Sequence, residues 1–177
     1  MSRHLIWIDL EMSGLDPEKQ VILEIASLVT DENLDIVAEG PNIAIHHPEE
    51  TLHNMEDWSR EHHGASGLLD RVKSSPMNCR QAEKETLEFL ARHCKKEESP
   101  LCGNSIWQDR RFLVKYMPEI EAFLHYRNID VSSIKELASM WYPSLPPFTK
   151  DTAHLAMSDI LESIQELRHY RKKIFLS

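Results

Sequence analysis

Near its start the chain sets two carboxylates into an apolar run, His4-Leu5-Ile6-Trp7-Ile8-Asp9-Leu10-Glu11-Met12. Side chains on a strand alternate faces, so Asp9 and Glu11 point one way while Ile8, Leu10 and Met12 point the other. Two carboxylates about 6 Å apart at an effective dielectric of about 20 repel by about 3 kcal/mol, before the cost of removing each from water. A bound cation is the simplest group that offsets this. The alternative is a pair solvated at an exposed edge. Large apolar neighbours on both sides, and the scarcity of acids in strands, count against it.

Other segments offer matching chemistry. Asp109 stands near a helix start, and His154 precedes Asp159 by five residues. Hard divalent cations such as Mg²⁺ take oxygen ligands and keep several waters, so four carboxylates gathered at one end of a sheet suit a two-ion site. Residues five apart on a regular helix are separated by about 500°, or about 140° beyond a full turn, so His154 and Asp159 cannot share a face. They converge only if His154 lies in the loop or irregular turn before the helix, where a histidine near activated water is placed to act as a general base. His46, His47, His53, His62 and His63 lack a compact ligand spacing, and solvated loop histidines are the expectation. Glu24, inside another apolar run, is either a further site acid or a strand-end or hydrogen-bonded structural acid, and is left out of the site.

The elements that must position these groups follow from the pattern. Ser13-Gly14-Leu15-Asp16-Pro17 is a turn signal after the first strand. Val21 to Val29 suits a strand covered on both faces. Asp31-Glu32-Asn33 connects by a hairpin to a third strand, Leu34 to His46, broken near Gly40-Pro41. Pro48 to Gly67 suits short helices and loops. Ala82, Leu87, Leu90 and Ala91 recur at helical spacing between Met77 and His93, with Glu83, Glu85 and Glu88 outward. A short strand at Pro100 to Ser105 leads to a helix from Gln108 to Met117, ended by Pro118. Another strand, Tyr126 to Val131, precedes a helix to Trp141 with Ser132 as its N-cap. The last helix starts around Thr152-Ala153-His154 and turns Ile160, Ile164 and Leu167 inward. Hairpin-connected strands followed by alternating strands and helices predict an α/β fold, a mixed sheet with helices on its faces. No repeat or linker divides the 177 residues, so residues 1–177 are expected to form one domain.

Composition bounds the function. With 41% apolar and 28% charged residues the chain is an ordinary globule. Cys79, Cys94 and Cys102 form no CxxC pair, and an odd count suits free thiols in a reducing compartment, with cytoplasm the default. No run approaches the about eighteen apolar residues of a membrane span. A net charge of −9 opposes tracking of long duplex DNA, but a local basic pocket can still hold a short oligomer by a few phosphates.

Three segments resemble the exonuclease motifs of the DEDDh family: Asp9-Leu10-Glu11 after an apolar strand, Asn104 followed by Asp109-Arg110-Arg111-Phe112, and His154-Leu155-Ala156-Met157-Ser158-Asp159. The stretches IWIDLEMSGLDP, EIASLVTD, AEGPNIAI, ASGLLDRVK, CGNSIWQDRRFL and HYRNIDVSS extend the resemblance, toward oligoribonucleases, over essentially the whole chain. It implies a ribonuclease H-like mixed five-stranded sheet flanked by helices, and a homodimeric 3′→5′ exoribonuclease releasing 5′-mononucleotides from very short RNAs, down to dinucleotides. It further implies two divalent ions, Mg²⁺ or Mn²⁺, with Asp9, Glu11 and Asp159 around one, Asp9 bridging to the second, Asp109 acting through water, and His154 as the base. Leu15 and Trp58 match a wedge and an aromatic residue set against the bases, and His63 a substrate-side histidine. Ser105, Arg127, Ser132 and Lys135 would meet the 5′-phosphate end, with the partner subunit's Tyr126 reaching in. Trp107 departs from the family pattern, in which a small residue is common. The rival readings are a DEDDh exonuclease acting on longer single strands and a catalytically silent RNA-binding module on the same fold.

Overall fold

The apolar run at the start becomes the central strand β1, Leu5–Met12, and the doubly covered run becomes β2, Ile22–Thr30. The computed structural model describes residues 4–149 and 155–175. Three more strands, β3 (Ile36–Ala44), β4 (Pro100–Gly103) and β5 (His125–Asp130), complete a sheet ordered β3-β2-β1-β4-β5. The first three pair antiparallel, as their hairpin connections require, while β4 runs parallel to β1 and β5 parallel to β4. The expected mixed five-stranded sheet is present.

The helices are α1 (Glu49–Leu52), α2 (Asp57–Ala65), α3 (Leu68–Ser74), α4 (Cys79–His93), α5 (Trp107–Tyr116), α6 (Pro118–Phe123), α7 (Val131–Trp141) and α8 (Ala156–Tyr170). Strand alternation divides them between two layers. Ile6, Ile8 and Leu10 meet Leu90 of α4, Phe112 of α5 and Ile120 of α6. Leu5 and Trp7 face the opposite way, against Val131 and Ala138 of α7 and Ile160 and Ile164 of α8. Asp9 and Glu11 continue this second face of β1 toward the end of the strand. Ile6, Trp7, Ile8 and Leu10 are each no more than 4% exposed. Burial of such side chains contributes about 1.5–3 kcal/mol apiece, enough to hold the strand in place against the repulsion of its two acids. The Trp7 indole N–H, fully buried, donates to Thr30 Oγ1 at 3.0 Å.

Two local expectations, for Glu83 and for Ser132, are corrected. Glu83 does not point outward: it is 7% exposed, and its Oε1 accepts the N–H groups of Glu119 at 2.7 Å and Ile120 at 3.4 Å. Those donors open α6, which follows directly on the end of α5 expected at Pro118. Pro118 occupies its first turn, where a missing N–H costs no intrahelical bond. The N-cap of α7 is Asp130, whose Oδ1 accepts the Ser132 N–H at 3.0 Å, so Ser132 lies inside the helix. β3 runs on past Gly40-Pro41 but is interrupted there as expected: these two residues stand opposite Ser27 alone, a bulge between the Ala26–Asn42 and Leu28–Glu39 pairs. A β-carbon at Gly40 would overlap the Ser27 hydroxyl and the Phe89 ring, so the close approach of α4 requires glycine there.

Candidate active site

Beyond Trp7, β1 outruns its parallel partner, which pairs with it only at Ile6 and Trp7. The Leu10 N–H finds Asp109 instead, donating to its Oδ1 at 3.0 Å. Asp109 lies in the first turn of α5 and is 5% exposed. On the other side of the sheet, α8 is held by Ala156, Ile160 and Ile164, spaced four apart along its buried face. This sets Asp159 in the first helical turn, its N–H bonded to Leu155 O at 3.0 Å. Carboxylate oxygens of Asp9, Glu11 and Asp159 lie within 4.8 Å of one another. Among the described residues Asp109 is not part of this group of three. Leu155 is extended and the regular helix starts after it; His154 lies outside the described residues.

The electrostatics follow from this crowding. Burial, then the charges of Asp109, Glu11, Asp159 and Glu24, hold the Asp9 carboxyl well above the usual carboxylate range. Burial, then Asp159, Glu24 and Asp109, push Glu11 up to about 8, against a downward pull from Arg71. Asp109 is raised to about 7 by burial, although the Leu10 N–H favours its charged form. The cluster therefore cannot ionise fully at neutral pH on its own. A hard divalent cation fits it: the donors are all carboxylate oxygens, converging from two elements, and a cation removes the repulsion that raises their pKa values.

Glu24 stands opposite Glu11 in the β1–β2 register and is fully buried. It is ion-paired with Arg71 of α3, and its Oε2 accepts the Ala156 N–H at 3.4 Å. These bonds join the start of α8 to the sheet, as those of a hydrogen-bonded structural acid do.

Leu15, Trp58 and His63 converge with Glu11, Met12, Gly14, Glu56 and Ser59 around a cavity of about 380 Å³. Leu15 and Trp58 are exposed, at 63% and 60%, so they are not ordinary core packing. His63 is buried, with Nε2 2.9 Å from Met12 O and Nδ1 3.9 Å from Glu11 Oε2. The Leu15 carbonyl accepts from Gln108 Nε2 and Arg111 Nη1, and its N–H donates to Glu56 Oε1 at 3.3 Å. Gln108 had no sequence signal, because its partner is 93 residues away.

A second group forms where β4 ends. Ser105, with φ +54°, and Ser132 bring their hydroxyls within 3.2 Å. Lys135 lies three residues beyond Ser132 on α7 and borders a separate cavity of about 100 Å³ with Leu145, Pro146 and Tyr170. Tyr126 and Arg127 project from the outer strand β5, Tyr126 73% exposed and the Arg127 guanidinium 5.3 Å over its ring. Tyr126 borders neither the carboxylate cavity nor that of Lys135, but a third one with Arg110 and His125. Trp107 opens α5, is 60% exposed and stacks with Arg111 at 5.7 Å, so its size is accommodated in solvent.

A mixed sheet whose central strand ends in a buried acid cluster beside an open cavity defines a nuclease-like class, and the exonuclease family model RNase_T matches residues 6–167. The oligoribonuclease of Marinobacter nauticus is 60% identical over 97% of this chain and 96% of its own length. Those of Escherichia coli K12 and Pseudomonas aeruginosa PAO1 are 59% and 55% identical, each over 96% of this chain and 94% of their own. The chain belongs to the oligoribonuclease family of exonucleases. Among solved structures, E. coli exonuclease I in complex with a dA16 oligonucleotide superposes with a TM-score of 0.76 at 12% identity, over 98% of this chain and 42% of that one. Exonuclease I from Methylocaldum szegediense gives 0.73 at 15%, over 97% and 41%. These likenesses establish the ribonuclease H-like fold, and the chain spans about two fifths of those longer proteins.

Proposed function

We propose that the chain is a 3′→5′ exoribonuclease that degrades very short RNA, down to dinucleotides, to 5′-mononucleotides, with residues 1–177 acting as one domain. The observation that carries this reading is the convergence of Asp9, Glu11 and Asp159 within 4.8 Å, with Glu11 also lining the cavity of Leu15, Trp58 and His63. Two divalent ions, Mg²⁺ or Mn²⁺, supply water activation and charge neutralisation at the scissile phosphate when bound. Asp9, Glu11 and Asp159 would hold them. Asp109 keeps the end of β1 in register through Leu10 and acts on the site through water. His154, which precedes α8 in sequence, takes the proton of the attacking water. Leu15 and Trp58 set apolar and aromatic surface against the terminal bases, and His63, held by the Met12 carbonyl, backs Glu11.

Short length is imposed by the far end: Ser105, Arg127, Ser132 and Lys135 receive the 5′-phosphate, and the partner subunit's Tyr126 closes over it. Leu137, Met140 and Trp141, exposed and spaced along one side of α7, support a homodimer. The net charge of −9 fits a substrate gripped by a few local contacts rather than a long duplex. No helix of the described residues is long and apolar enough to cross a membrane, and the free thiols of Cys79, Cys94 and Cys102 suit the cytoplasm.

The test is to incubate the protein with Mg²⁺ and either a dinucleotide or a long single-stranded RNA and to resolve the products. Rapid conversion of the dinucleotide to mononucleotides is expected. A surviving dinucleotide beside a degraded long strand selects a nuclease for longer RNA, and no cleavage of either, unchanged by Asp9→Ala, leaves only an RNA-binding module.

A further inference from the structure

Asn104, the residue after β4, lies between the two groups of side chains described above. Its amide orientation is set by its partners. Nδ2 is 2.8 Å from Ser163 Oγ and 3.2 Å from Glu166 Oε2, and a carboxylate oxygen accepts, so this side is the NH₂. The amide oxygen then faces Ser132 Oγ at 3.0 Å, and Ser132 must donate to it. Inward, Ser163 Oγ passes its own hydrogen to the Asp159 carbonyl at 2.7 Å. Outward, Ser132 Oγ accepts the Ser105 N–H at 3.0 Å. Since the Ser132 hydrogen is committed to Asn104, the Ser105 hydroxyl is the donor of the 3.2 Å contact between the two serines. Every donor in the series points the same way, from Ser105 through Ser132, Asn104 and Ser163 to the backbone of Asp159. Ser163 and Glu166 are 4% and 1% exposed, so water does not readily replace the inner bonds.

We propose that Asn104 is a positioning residue that couples engagement of a 5′-terminal phosphate at Ser105 and Ser132 to the placement of Asp159. The inference rests on the reading that these serines meet that phosphate. A phosphate oxygen accepts hydrogen bonds, so a phosphate that binds both hydroxyls draws the Ser132 hydrogen away from Asn104 Oδ1. Asn104 then loses its outer partner and keeps its inner ones. Hydrogen bonds in series polarise one another, so the change reaches Ser163 and the turn of α8 that carries Asp159. Occupancy of the far end of the substrate is thereby felt at a metal-binding carboxylate. A molecule whose 5′ end does not reach the serines leaves the series in its unliganded polarity.

The experiment compares wild type, Asn104→Ala and Ser163→Ala on a dinucleotide with and without a 5′-phosphate. Ser163→Ala removes one hydroxyl and leaves Asn104 on Glu166, so it decides the matter where Asn104→Ala fails to fold. In wild type the 5′-phosphate is expected to raise kcat by about five-fold or more. In both variants this kcat ratio falls to about one, while the KM preference for the phosphorylated substrate persists through Ser105, Arg127 and Lys135. A second readout needs no turnover: because loss of the outer bond weakens the inner ones, in EDTA binding of the phosphorylated dinucleotide speeds amide hydrogen exchange over residues 156–163 in wild type and not in Ser163→Ala. Variants that retain the wild-type kcat ratio or the exchange response overturn the coupling and leave the phosphate reading intact, as does a wild-type preference confined to KM. A wild type that does not distinguish the two dinucleotides at all overturns the phosphate reading itself, and the coupling with it.

Discussion

The metal-free acid cluster should be a stability defect, and Glu11→Gln measures it. The Glu11 carboxyl is pushed from 4.5 up to about 8 in the fold, chiefly by burial and then by Asp159, Glu24 and Asp109. At about 1.4 kcal/mol per pH unit, the folded protein at pH 7 holds a proton that the unfolded chain has released, a cost of about 3 kcal/mol. The sign is set by the raised value: the folded state binds more protons between 4.5 and about 8, so metal-free stability falls as pH rises through that window and levels off above it. The isosteric amide carries no such group. In EDTA, Glu11→Gln should match wild type at about pH 4.5 and exceed it by about 3 kcal/mol at pH 7, which in a chain of this size is about 6–12 °C in Tm. Mg²⁺ should close most of this gap. Wild type gains about 2.7 kcal/mol at a free concentration near 100 times Kd, and the variant, short of one ligand, gains less while losing activity. The assay is thermal unfolding by circular dichroism across pH, with EDTA and with Mg²⁺. A variant that in EDTA is no more stable than wild type at neutral pH, or that loses stability with pH along the same slope, refutes the reasoning.

Three other perturbations separate roles by where each side chain sits. His154→Ala is expected to keep Mn²⁺ and dinucleotide affinity in calorimetry but to lose about 10²–10⁴ in kcat; an unchanged kcat removes it as the base. Glu83→Ala strands two N–H groups at the start of α6, that of Ile120 buried and that of Glu119 partly so, and should cost about 1–3 kcal/mol in urea unfolding with kcat intact, most of it recovered by Glu83→Gln. Trp58→Ala, at an exposed position, should change unfolding free energy by less than about 0.5 kcal/mol, while raising the dinucleotide KM roughly 5- to 100-fold through lost stacking; a large stability loss with unchanged KM makes Trp58 a structural residue.

Much of this architecture is legible in the order of residues because its cause is local. The alternation along Ile6 to Glu11 places two acids on one face of a buried strand whatever else surrounds it, and the spacing of Ile160 and Ile164 sets which side of α8 is buried. The free cysteines and the hairpins of β1 to β3 have the same character. Only the family resemblance singles out Asp109 and Asp159, which carry no local mark that separates them from other helix-start acids.

What only the tertiary structure decides is who meets whom. Glu83 is outward by its own helix pattern and inward because α6 docks on α4 and brings two unpaired N–H groups to it. Pro118 stops one helix and starts another because its missing N–H is tolerated at that position. Gln108 and Arg111 fix Leu15 from more than 90 residues away, and Asn104 meets Ser163 across 59. Such contacts have no sequence period, since they depend on sheet order and on which backbone donors a strand end leaves unpaired. The sequence by itself determined that Asp9 and Glu11 share a face and cannot rest there uncompensated. The fold alone decided that Asp159 stands within 4.8 Å of both, and that β4 ends early enough for Asp109 to take the Leu10 N–H. Charge repulsion is a property of residue type and spacing; convergence is a property of packing.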